Sequence, residues 1–412
     1  MELLVVDTVD QAREKLIREI ALWEPRTCFL PFDEAVGRVL ACDAACKESI
    51  PAFDRSTVDG YAVVAQDTAG AGESMPVILT LAGSVEMGVP CLASIQPGQC
   101  VLVPTGGMLP EGADAMVMVE HTEPFASGVA IYDAVASGEN VTKAGDDAQA
   151  GDVLLTRGVR LHAAEIGVLA AAGIMEVEVF EPLRMTIIST GDELIEPGVQ
   201  PELGQVRDIN TSALAAQAQA AGFEVVATHV CIDEEFLLEQ CVANAMNDSD
   251  FVVVSGGSSQ GEKDATARII DRLASEGVLT HGLAIKPGKP TIIGADIPSR
   301  TILVGLPGHP VSAMMVFEML LAWLAREFTG SAHPLPVPVV LTHNVPASPG
   351  KETLQLVKLV ADDEQTSVHA TPVWAKSGLI TRLAAADAFI RIEHDREGLR
   401  AGETVFAHRL TS

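Results

Sequence analysis

Apolar and polar positions along the chain change their period several times, and each change predicts a different kind of element. Residues 8–23 place apolar side chains at helical spacing behind Thr8 and Gln11, which form a capping-box pattern, so an amphipathic helix is predicted. Between residues 51 and 143 short alternating apolar runs are separated by Gly, Pro and Asp clusters. This second pattern predicts a mainly β module. A further helix closes at Gly173, and its length suits a connector that rejoins the N-terminal helix.

From about residue 181 apolar strands alternate with helical segments. Strands are predicted at 183–190, 223–230 and 250–257, with helices at 210–221 and 234–246 between them. This alternation indicates βαβ units and a mostly parallel sheet, whose buried strands are continuous apolar runs. After a proline-rich stretch at 332–339 the short strands return, and they predict a small terminal barrel or sandwich.

Four polar loops follow apolar runs in the α/β region, at 189–193, 255–264, 286–290 and 306–310. Ligands of such sheets bind beyond the carboxyl ends of the strands, so we expect the four loops to converge. The run Ser255, Gly256, Gly257 and Ser258 combines a strand end with glycines that accept positive φ. Its backbone N–H groups are therefore predicted to form a concave binding site for an oxyanion.

The charge balance makes the loop at 286–290 conspicuous. The 412-residue chain has 56 acidic residues against 27 Lys and Arg, a net charge of −29, yet Lys286 and Lys289 lie in one hexapeptide. Pro287 and Pro290 stiffen that turn, which favours an anion site over the alternative of two solvated lysines. The acidic balance also argues against nucleic acid or an anionic membrane as a partner.

Other features of the composition restrict the class of protein further. The N-terminus has no positively charged start followed by a long apolar core, and the longest apolar stretch is too short to span a bilayer. A cytoplasmic protein without a membrane segment is therefore expected. The seven cysteines are scattered and never spaced C-x-x-C, so neither a disulfide framework nor a zinc ribbon is indicated.

Carboxylates accompany the predicted oxyanion loop. Asp192 and Glu193 follow one strand and Asp264 follows another, so all three are expected at the same end of the sheet. Mg²⁺ is commonly held by one or two carboxylates together with substrate oxygens, so the three together favour a magnesium–phosphate site. The alternative is that Asp192 caps a helical turn and Asp264 begins a helix. The chain lacks the G-x-x-x-x-G-K-[ST] sequence of P-loop ATPases.

Seven stretches together resemble one family over nearly the whole chain. They are PAFDRSTVDGYAV, PTGGMLPEGADAMVMVE, GDDAQAGDVLL, STGDEL, SGGSSQGEKD, LAIKPGKP and GLPGHPVSA. In this order and spacing they resemble the molybdopterin molybdenumtransferase family, which includes MoeA and the E domain of gephyrin. The resemblance implies a homodimer of α/β and β multidomain subunits. The implied domains are a helical linker domain (1–50 with 144–180), a β-rich insertion domain (51–143), a MogA-like α/β domain (181–328) and a C-terminal small β-barrel (329–412).

The same resemblance implies a reaction and a set of residues. The family inserts molybdate into adenylylated molybdopterin with Mg²⁺, releasing AMP and molybdenum cofactor, and the substrate donor is a molybdopterin adenylyltransferase. The implied catalytic or pterin-nucleotide residues are Asp59, Thr105, Asp147, Glu193, Asp233 and Asp264, with Glu193 and Asp264 for magnesium. The implied oxyanion-binding residues are Ser255, Gly256, Gly257, Ser258, Lys286, Lys289, Pro307, Pro310 and Ser377.

Five positions depart from the family pattern. They are Thr142, Gly282, His309, Lys358 and Asp387. Several of these departures remove positive charge, and lysine does not reproduce an arginine fork, so a divergent paralogue is one interpretation. Three alternatives to molybdate insertion stay open: a non-catalytic binding or scaffold protein, insertion of tungstate, and a related nucleotide hydrolase of the MogA-like superfamily.

Overall fold

The four helices predicted at 8–23, before Gly173, at 210–221 and at 234–246 are all present. The structure is a computed structural model that describes residues 6–256, 262–362, 367–374 and 378–410. Its helices are α1 (Val9–Ile20), α2 (Ala163–Ala171), α3 (Asn210–Ala221), α4 (Glu235–Met246), α5 (Glu262–Leu273), α6 (Pro310–Phe317), a π-helical turn (Glu318–Ala322), α7 (Trp323–Thr329) and α8 (Ile380–Leu383). At the start of α1 the Thr8 hydroxyl accepts the Gln11 N–H, and the Gln11 side chain accepts the Thr8 N–H. This confirms the capping box.

A six-stranded sheet forms the centre of the α/β domain. Its strands are β1 (Arg184–Thr190), β2 (Glu224–Cys231), β3 (Phe251–Gly256), β4 (Val278–His281), β5 (Ile292–Asp296) and β6 (Thr301–Leu306). The spatial order is β2-β1-β3-β6-β5-β4; the first four strands are parallel, and β5 and β4 run antiparallel to their neighbours. Because helices cover both faces, β3 and β6 are buried along almost their whole length.

Helix α1 packs on this α/β domain. Its buried residues Val9, Leu16 and Ile20 share one apolar core with the strands β1 and β3. The buried Leu169 of α2 instead packs with residues of the linker region, where Thr27–Pro31 pairs with Glu176–Phe180. The expectation that α2 rejoins α1 is therefore wrong. Both helices have an apolar face, and sequence spacing does not specify which neighbour covers it.

The region between residues 51 and 143 has a separate sheet. In spatial order its six strands are Ala115–Met118, Gly60–Val63, Gln99–Val103, Val77–Ser84, Gly128–Ile131 and Thr122–Phe125. Two apolar clusters lie on the faces of this sheet, one around Tyr61 and Ile131 and the other around Val101 and Met116. The β-rich module thus has its own core. A short strand pair lies at the base of the module, Arg55–Ser56 with Val141–Thr142, and another lies within the linker region, Ala44–Ala45 with Val153–Leu155.

The C-terminal region closes into a barrel. Its strands follow one another around the barrel in the order Glu352–Ala361, Val368–Pro372, Val337–Leu341, Thr404–Arg409 and Ala388–Ile392. The first and last of these also pair with each other, which closes the sheet and decides between barrel and sandwich. The short strand Ile285–Lys286 of the α/β domain pairs with Glu352 and Thr353, so it attaches the lysine loop directly to the barrel.

The remaining short strands pair Leu194–Ile195 with Val206–Arg207 and Val345–Pro346 with Gly398–Leu399. Among the helices of the described residues, none is both long and apolar enough to cross a bilayer.

Candidate active site at the carboxyl end of the sheet

The strand register brings the predicted loops to one end of the α/β sheet. Thr190 of β1 lies opposite Gly256 of β3, and Ser255 lies opposite Leu306 of β6. Because β5 is antiparallel, with Ile292 opposite Gly305, the lysine loop that precedes β5 comes to the same end. Strands lie about 4.8 Å apart, so roughly 14 Å separates β1 from β5 along the sheet. As far as the structure describes them, the four loops share this end.

The Ser255 hydroxyl supports the backbone at the end of β3. Its side chain is buried at 2% exposure; the hydroxyl accepts Asn210 Nδ2–H at 2.7 Å and donates to the Pro307 carbonyl at 3.3 Å. Asn210 Nδ2 also donates to the Gly308 carbonyl at 2.8 Å. The Ser255 hydroxyl therefore ties the end of β3 to the loop after β6, and oxyanion binding by the backbone N–H groups of this loop stays a prediction.

Asp208 orients Asn210, and neither residue was identified from the sequence. The buried Asp208 carboxylate accepts the N–H groups of Asn210 at 3.1 Å and Thr211 at 3.4 Å, and the Thr211 hydroxyl donates to its other oxygen. These contacts satisfy free N–H groups at the start of α3. The side-chain amide oxygen Oδ1 of Asn210 and the Ser189 hydroxyl are buried without a hydrogen-bond partner within the described residues. The signal in the sequence was an Asp and an Asn two residues apart before a helical pattern.

The lysine loop forms one wall of a cavity of about 600 Å³ between the α/β domain and the barrel. Lys286 Nζ donates to Ser348 Oγ at 2.9 Å, and the Lys289 side chain is exposed. Lys351 and Ser312 also line the cavity. Three cationic side chains in so acidic a chain give this cavity a locally positive lining, which suits an anion.

The prolines of the GLPGHP loop shape the site without reaching into it. Pro307 is buried after β6, and Pro310 is buried as the first residue of α6, a position that proline favours because its missing N–H is not needed there. His309 precedes the helix and is exposed. The two predicted oxyanion-binding prolines are therefore backbone supports.

Carboxylates lie at the ends of β1 and β2. The Asp192 carboxylate accepts the Asp233 N–H at 3.0 Å, and the Thr190 hydroxyl donates to the Asp233 carboxylate. Asp192 does not cap a helix, because the chain continues from it into the short strand Leu194–Ile195. The Glu193 side chain is exposed and folds back over Gly191, with Oε2 only 2.9 Å from the position that a Cβ on Gly191 would occupy.

No group of three or more potential metal-ligating side chains occurs in the described part of the chain. Mg²⁺ needs no such group when substrate oxygens complete its shell, so the hard, exposed Glu193 carboxylate fits this ion. The backbone of Asp264 lies in the first turn of α5. Its side chain lies outside the described residues, and so do Gly257, Ser258 and Ser377.

Three of the predicted residues lie on the β-rich module and the linker beside it. The Asp59 carboxylate accepts the Thr105 N–H at 2.8 Å, and the Asp147 N–H donates to the Ile50 carbonyl at 3.0 Å. The side chains of Thr105 and Asp147 are exposed. Among the residues that the structure describes, no hydrogen bond or ion pair joins these three to the carboxyl end of the α/β sheet.

The departures from the family pattern have local explanations at two positions. Gly282 has φ +102°, and a Cβ there would lie 3.0 Å from Val6 Cγ1, so a lysine would be strained. Asp387 holds the barrel together, because its carboxylate accepts the Leu359 N–H at 2.8 Å and its own N–H donates to the Val357 carbonyl at 3.0 Å. The other three departures are at residues that lie at or near the surface: Thr142, His309 and Lys358.

Comparisons with known proteins identify the class first. Residues 7–173 match the model of the MoeA N-terminal region (domains I and II), residues 186–326 match a probable molybdopterin-binding domain, and residues 338–410 match the MoeA C-terminal region (domain IV). These matches define a multidomain protein of the MoeA type, whose α/β domain matches a probable molybdopterin-binding domain.

The relatives identify the family. The chain is 31% identical to the molybdopterin molybdenumtransferase of Haemophilus influenzae over 97% of both chains. It is 33% identical to that of Bacillus subtilis, covering 92% of this chain and 89% of that one. The crystal structure of a molybdopterin biosynthesis MoeA protein from Pyrococcus horikoshii superposes with a TM-score of 0.80 at 34% identity, covering 98% and 99% of the two chains. The chain belongs to the MoeA family of molybdopterin molybdenumtransferases.

Proposed function

We propose that this protein inserts molybdenum from molybdate into adenylylated molybdopterin and releases AMP and molybdenum cofactor. The observation that supports this most strongly is the position of Lys286 and Lys289, which lie at the same end of the sheet as Glu193 in a chain of net charge −29. An oxyanion site and a carboxylate suited to magnesium at one end of a pterin-binding type of domain match the two anionic substrates of this reaction.

The lysines serve to hold molybdate close to a second anion. Molybdate is a dianion, and its approach to a phosphorylated pterin is opposed by charge repulsion, which ammonium groups offset by charge-assisted hydrogen bonds. The Ser348 hydroxyl orients Lys286, and the stiff proline turn limits the freedom of both lysines. In this way the cavity is prepared before the substrates arrive.

Magnesium would be held by Glu193 and Asp264 together with substrate phosphate oxygens. When bound, it would supply positive charge to the phosphate that is cleaved. Glu193 offers an exposed carboxylate, and Asp233 is kept oriented by Thr190 and by the backbone contact to Asp192. The residues of the chain would thus position the pterin nucleotide between the carboxylates and the lysine loop.

The residues of the β-rich module reach the substrate from a second copy of the chain in the proposed homodimer. Asp59, Thr105 and Asp147 form no hydrogen bond or ion pair with the α/β site within one chain, as far as the structure describes it. Their role as family-matched residues therefore requires either a partner subunit or a large domain movement, and the separate core of the module favours a rigid unit. A molybdopterin adenylyltransferase would supply the substrate.

The test of the reaction is molybdate-dependent release of AMP from adenylylated molybdopterin with Mg²⁺. We expect Lys286→Ala and Asp264→Asn to suppress release, while the matched control Lys47→Ala, an exposed lysine of the linker region, keeps it. Tungstate in place of molybdate tests the choice of metallate. If the folded dimer releases no AMP from authentic substrate, the transferase proposal is wrong and the scaffold alternative is favoured.

Mixed dimers test the contribution of the second subunit. Asp59→Asn and Lys286→Ala are each expected to be inactive alone. If one site combines both residues from different subunits, the mixed dimer contains one intact site and regains part of the activity. If each site uses both residues from one chain, every site in the mixture carries a substitution and activity stays absent.

A further inference from the structure

A second cavity with an arginine-rich lining lies away from the active site, where α1, α7 and the barrel meet. Its volume is about 230 Å³, and its wall includes Arg13, Arg326, Arg391 and Arg409. The chain has only 27 Lys and Arg among 412 residues, so four arginines around one small cavity are a marked concentration of positive charge. Nothing in the proposed transfer reaction uses them.

The fold holds two of these arginines in place. Arg13, with a side chain 15% exposed, donates from Nε at 2.9 Å and from Nη2 at 2.7 Å to the Met319 carbonyl, and its guanidinium lies 4.5 Å from the centre of the Trp323 ring. Arg391 Nε contacts Glu352 Oε1 at 2.5 Å. Because these contacts fix the two guanidinium planes, little side-chain entropy remains to be lost when a ligand binds.

Carboxylates balance only part of this charge. Glu318 is the one carboxylate in the described wall of the cavity, where its Oε1 lies 3.6 Å from Arg326 Nη2, and Glu352 lies behind Arg391. Asp10 approaches Arg13 at 3.7 Å from the solvent side and is 77% exposed. Arg409 has no ion pair within the described residues. Glu327, outside the wall, contacts the lining His333 at 2.6 Å. Among the described residues of the wall itself, four arginines therefore face one carboxylate.

The pKa values of two lining groups reflect their burial and the arginines beside them. Burial first, and then the neighbouring Arg391, lower the pKa of Arg13 to about 10, against the opposite effect of Asp10, Glu352 and Glu327. Burial, Arg391 and Arg13 likewise lower the pKa of His408, whose ring is stacked on Phe389. Cations that lower the pKa of one another are stabilised by an anion between them.

We propose that this cavity binds a small phosphate-type oxyanion, either free or as the terminal group of a small phosphomonoester. Guanidinium forks match phosphate oxygens in pairs, and converging positive charge favours a dianion over a carboxylate. The volume of about 230 Å³ lies below the roughly 300 Å³ at which pockets for larger ligands begin, so a nucleotide or a pterin does not fit. The site is independent of the proposed transferase reaction.

Calorimetric titration of the full-length protein with inorganic phosphate at low ionic strength and pH 7 tests the proposal. The titration uses a Lys286→Ala/Lys289→Ala background, so that binding at the active-site lysines does not contribute. We expect Arg409→Gln to weaken binding about tenfold, since one charge-assisted fork is lost. Arg391→Lys keeps the positive charge beside Glu352 but removes the paired N–H donors of the guanidinium, so it should also weaken phosphate binding. The control Arg400→Gln, an exposed barrel arginine outside the cavity, should leave binding within about twofold.

Glycerol phosphate in place of phosphate distinguishes a phosphomonoester from a free ion, and tighter binding of either one supports the site. The proposal is overturned if phosphate does not bind the background protein, if Arg409→Gln and Arg400→Gln behave alike, or if acetate binds as tightly as phosphate. Circular dichroism and thermal unfolding of each variant establish that a loss of binding is not a loss of fold.

Discussion

Gly288 in the lysine loop has no room for a side chain, and this gives a prediction that does not depend on the reaction. Its φ is +119°, and a Cβ would lie 2.5 Å from Val316 Cγ2 and 3.2 Å from Ile285 Cγ2. Val316 and Ile285 are fully buried, so neither can turn into solvent. Gly288→Ala should therefore push the loop that carries Lys286 and Lys289 away from α6.

Two separable costs set the magnitude. The unfavourable φ costs about 1–3 kcal/mol for a residue with a Cβ. The overlap with Val316 adds about 1–3 kcal/mol, as overpacking of a close-packed core does. We expect Gly288→Ala to lower the free energy of unfolding by about 2–6 kcal/mol in total. Val316→Ala alone should cost about 2 kcal/mol through lost apolar burial.

The double variant isolates the overlap. In Gly288→Ala/Val316→Ala the methyl group introduced at position 288 no longer meets the valine side chain, so the pair should cost about 1–3 kcal/mol less than the sum of the single changes. Urea unfolding followed by tryptophan fluorescence measures this, because Trp23 and Trp323 both pack against the core that contains Val316. Gly350→Ala is the control for backbone conformation, since Gly350 has φ +74° and nothing within 4 Å of its Cβ position. Additivity of the two changes within about 0.5 kcal/mol would refute the packing argument.

Two further predictions concern the ends of β1 and β2. Gly191→Ala should displace the Glu193 carboxylate and lower the rate of AMP release about tenfold with little loss of stability, since small misplacements of a reacting group are costly. The control Gly198→Ala, which has open space at its Cβ position, should leave the rate unchanged. Equal rates for the two variants would contradict the position assigned to the Glu193 carboxylate. The hydrogen bond from Cys241 lowers the pKa of Cys231 to about 7. Alkylation of Cys231 should therefore rise through about pH 7, and Cys241→Ala should move that rise to higher pH; an unchanged midpoint would exclude the thiol pair as its cause.

The secondary structure was largely predictable because each element has its own apolar period. The predicted helix at 210–221 coincides with α3, and Gly222 after it has φ +96°, the left-handed conformation expected of a helix-ending glycine. The alternation of strands and helices correctly indicated the mostly parallel sheet. It could not indicate the pairing between Ile285–Lys286 and the barrel, because nothing in a two-residue strand specifies a partner in another domain.

The contacts of individual side chains are less predictable for a related reason. The sequence assigns the backbone N–H of Ser255 to an anion site, but it does not indicate that the Ser255 hydroxyl points inward to Asn210. Alternation along a strand assigns side chains to two faces, but it does not say which face is covered. The sequence does not indicate the role of Asn210, because its two acceptors, Ser255 and Gly308, are 45 and 98 residues away.

A contact with the N-terminal segment gives Gly282 a structural role that the sequence does not indicate. From the sequence alone, glycine in place of a family lysine is a loss of positive charge at the anion site. In the structure the Asp7 N–H donates to the Gly282 carbonyl at 3.0 Å, and Val6 occupies the space beside its Cα. The N-terminal segment therefore uses this position for chain pairing. Under the proposed function, positive charge for the metallate would then come from Lys286, Lys289 and Lys351, which line the cavity together.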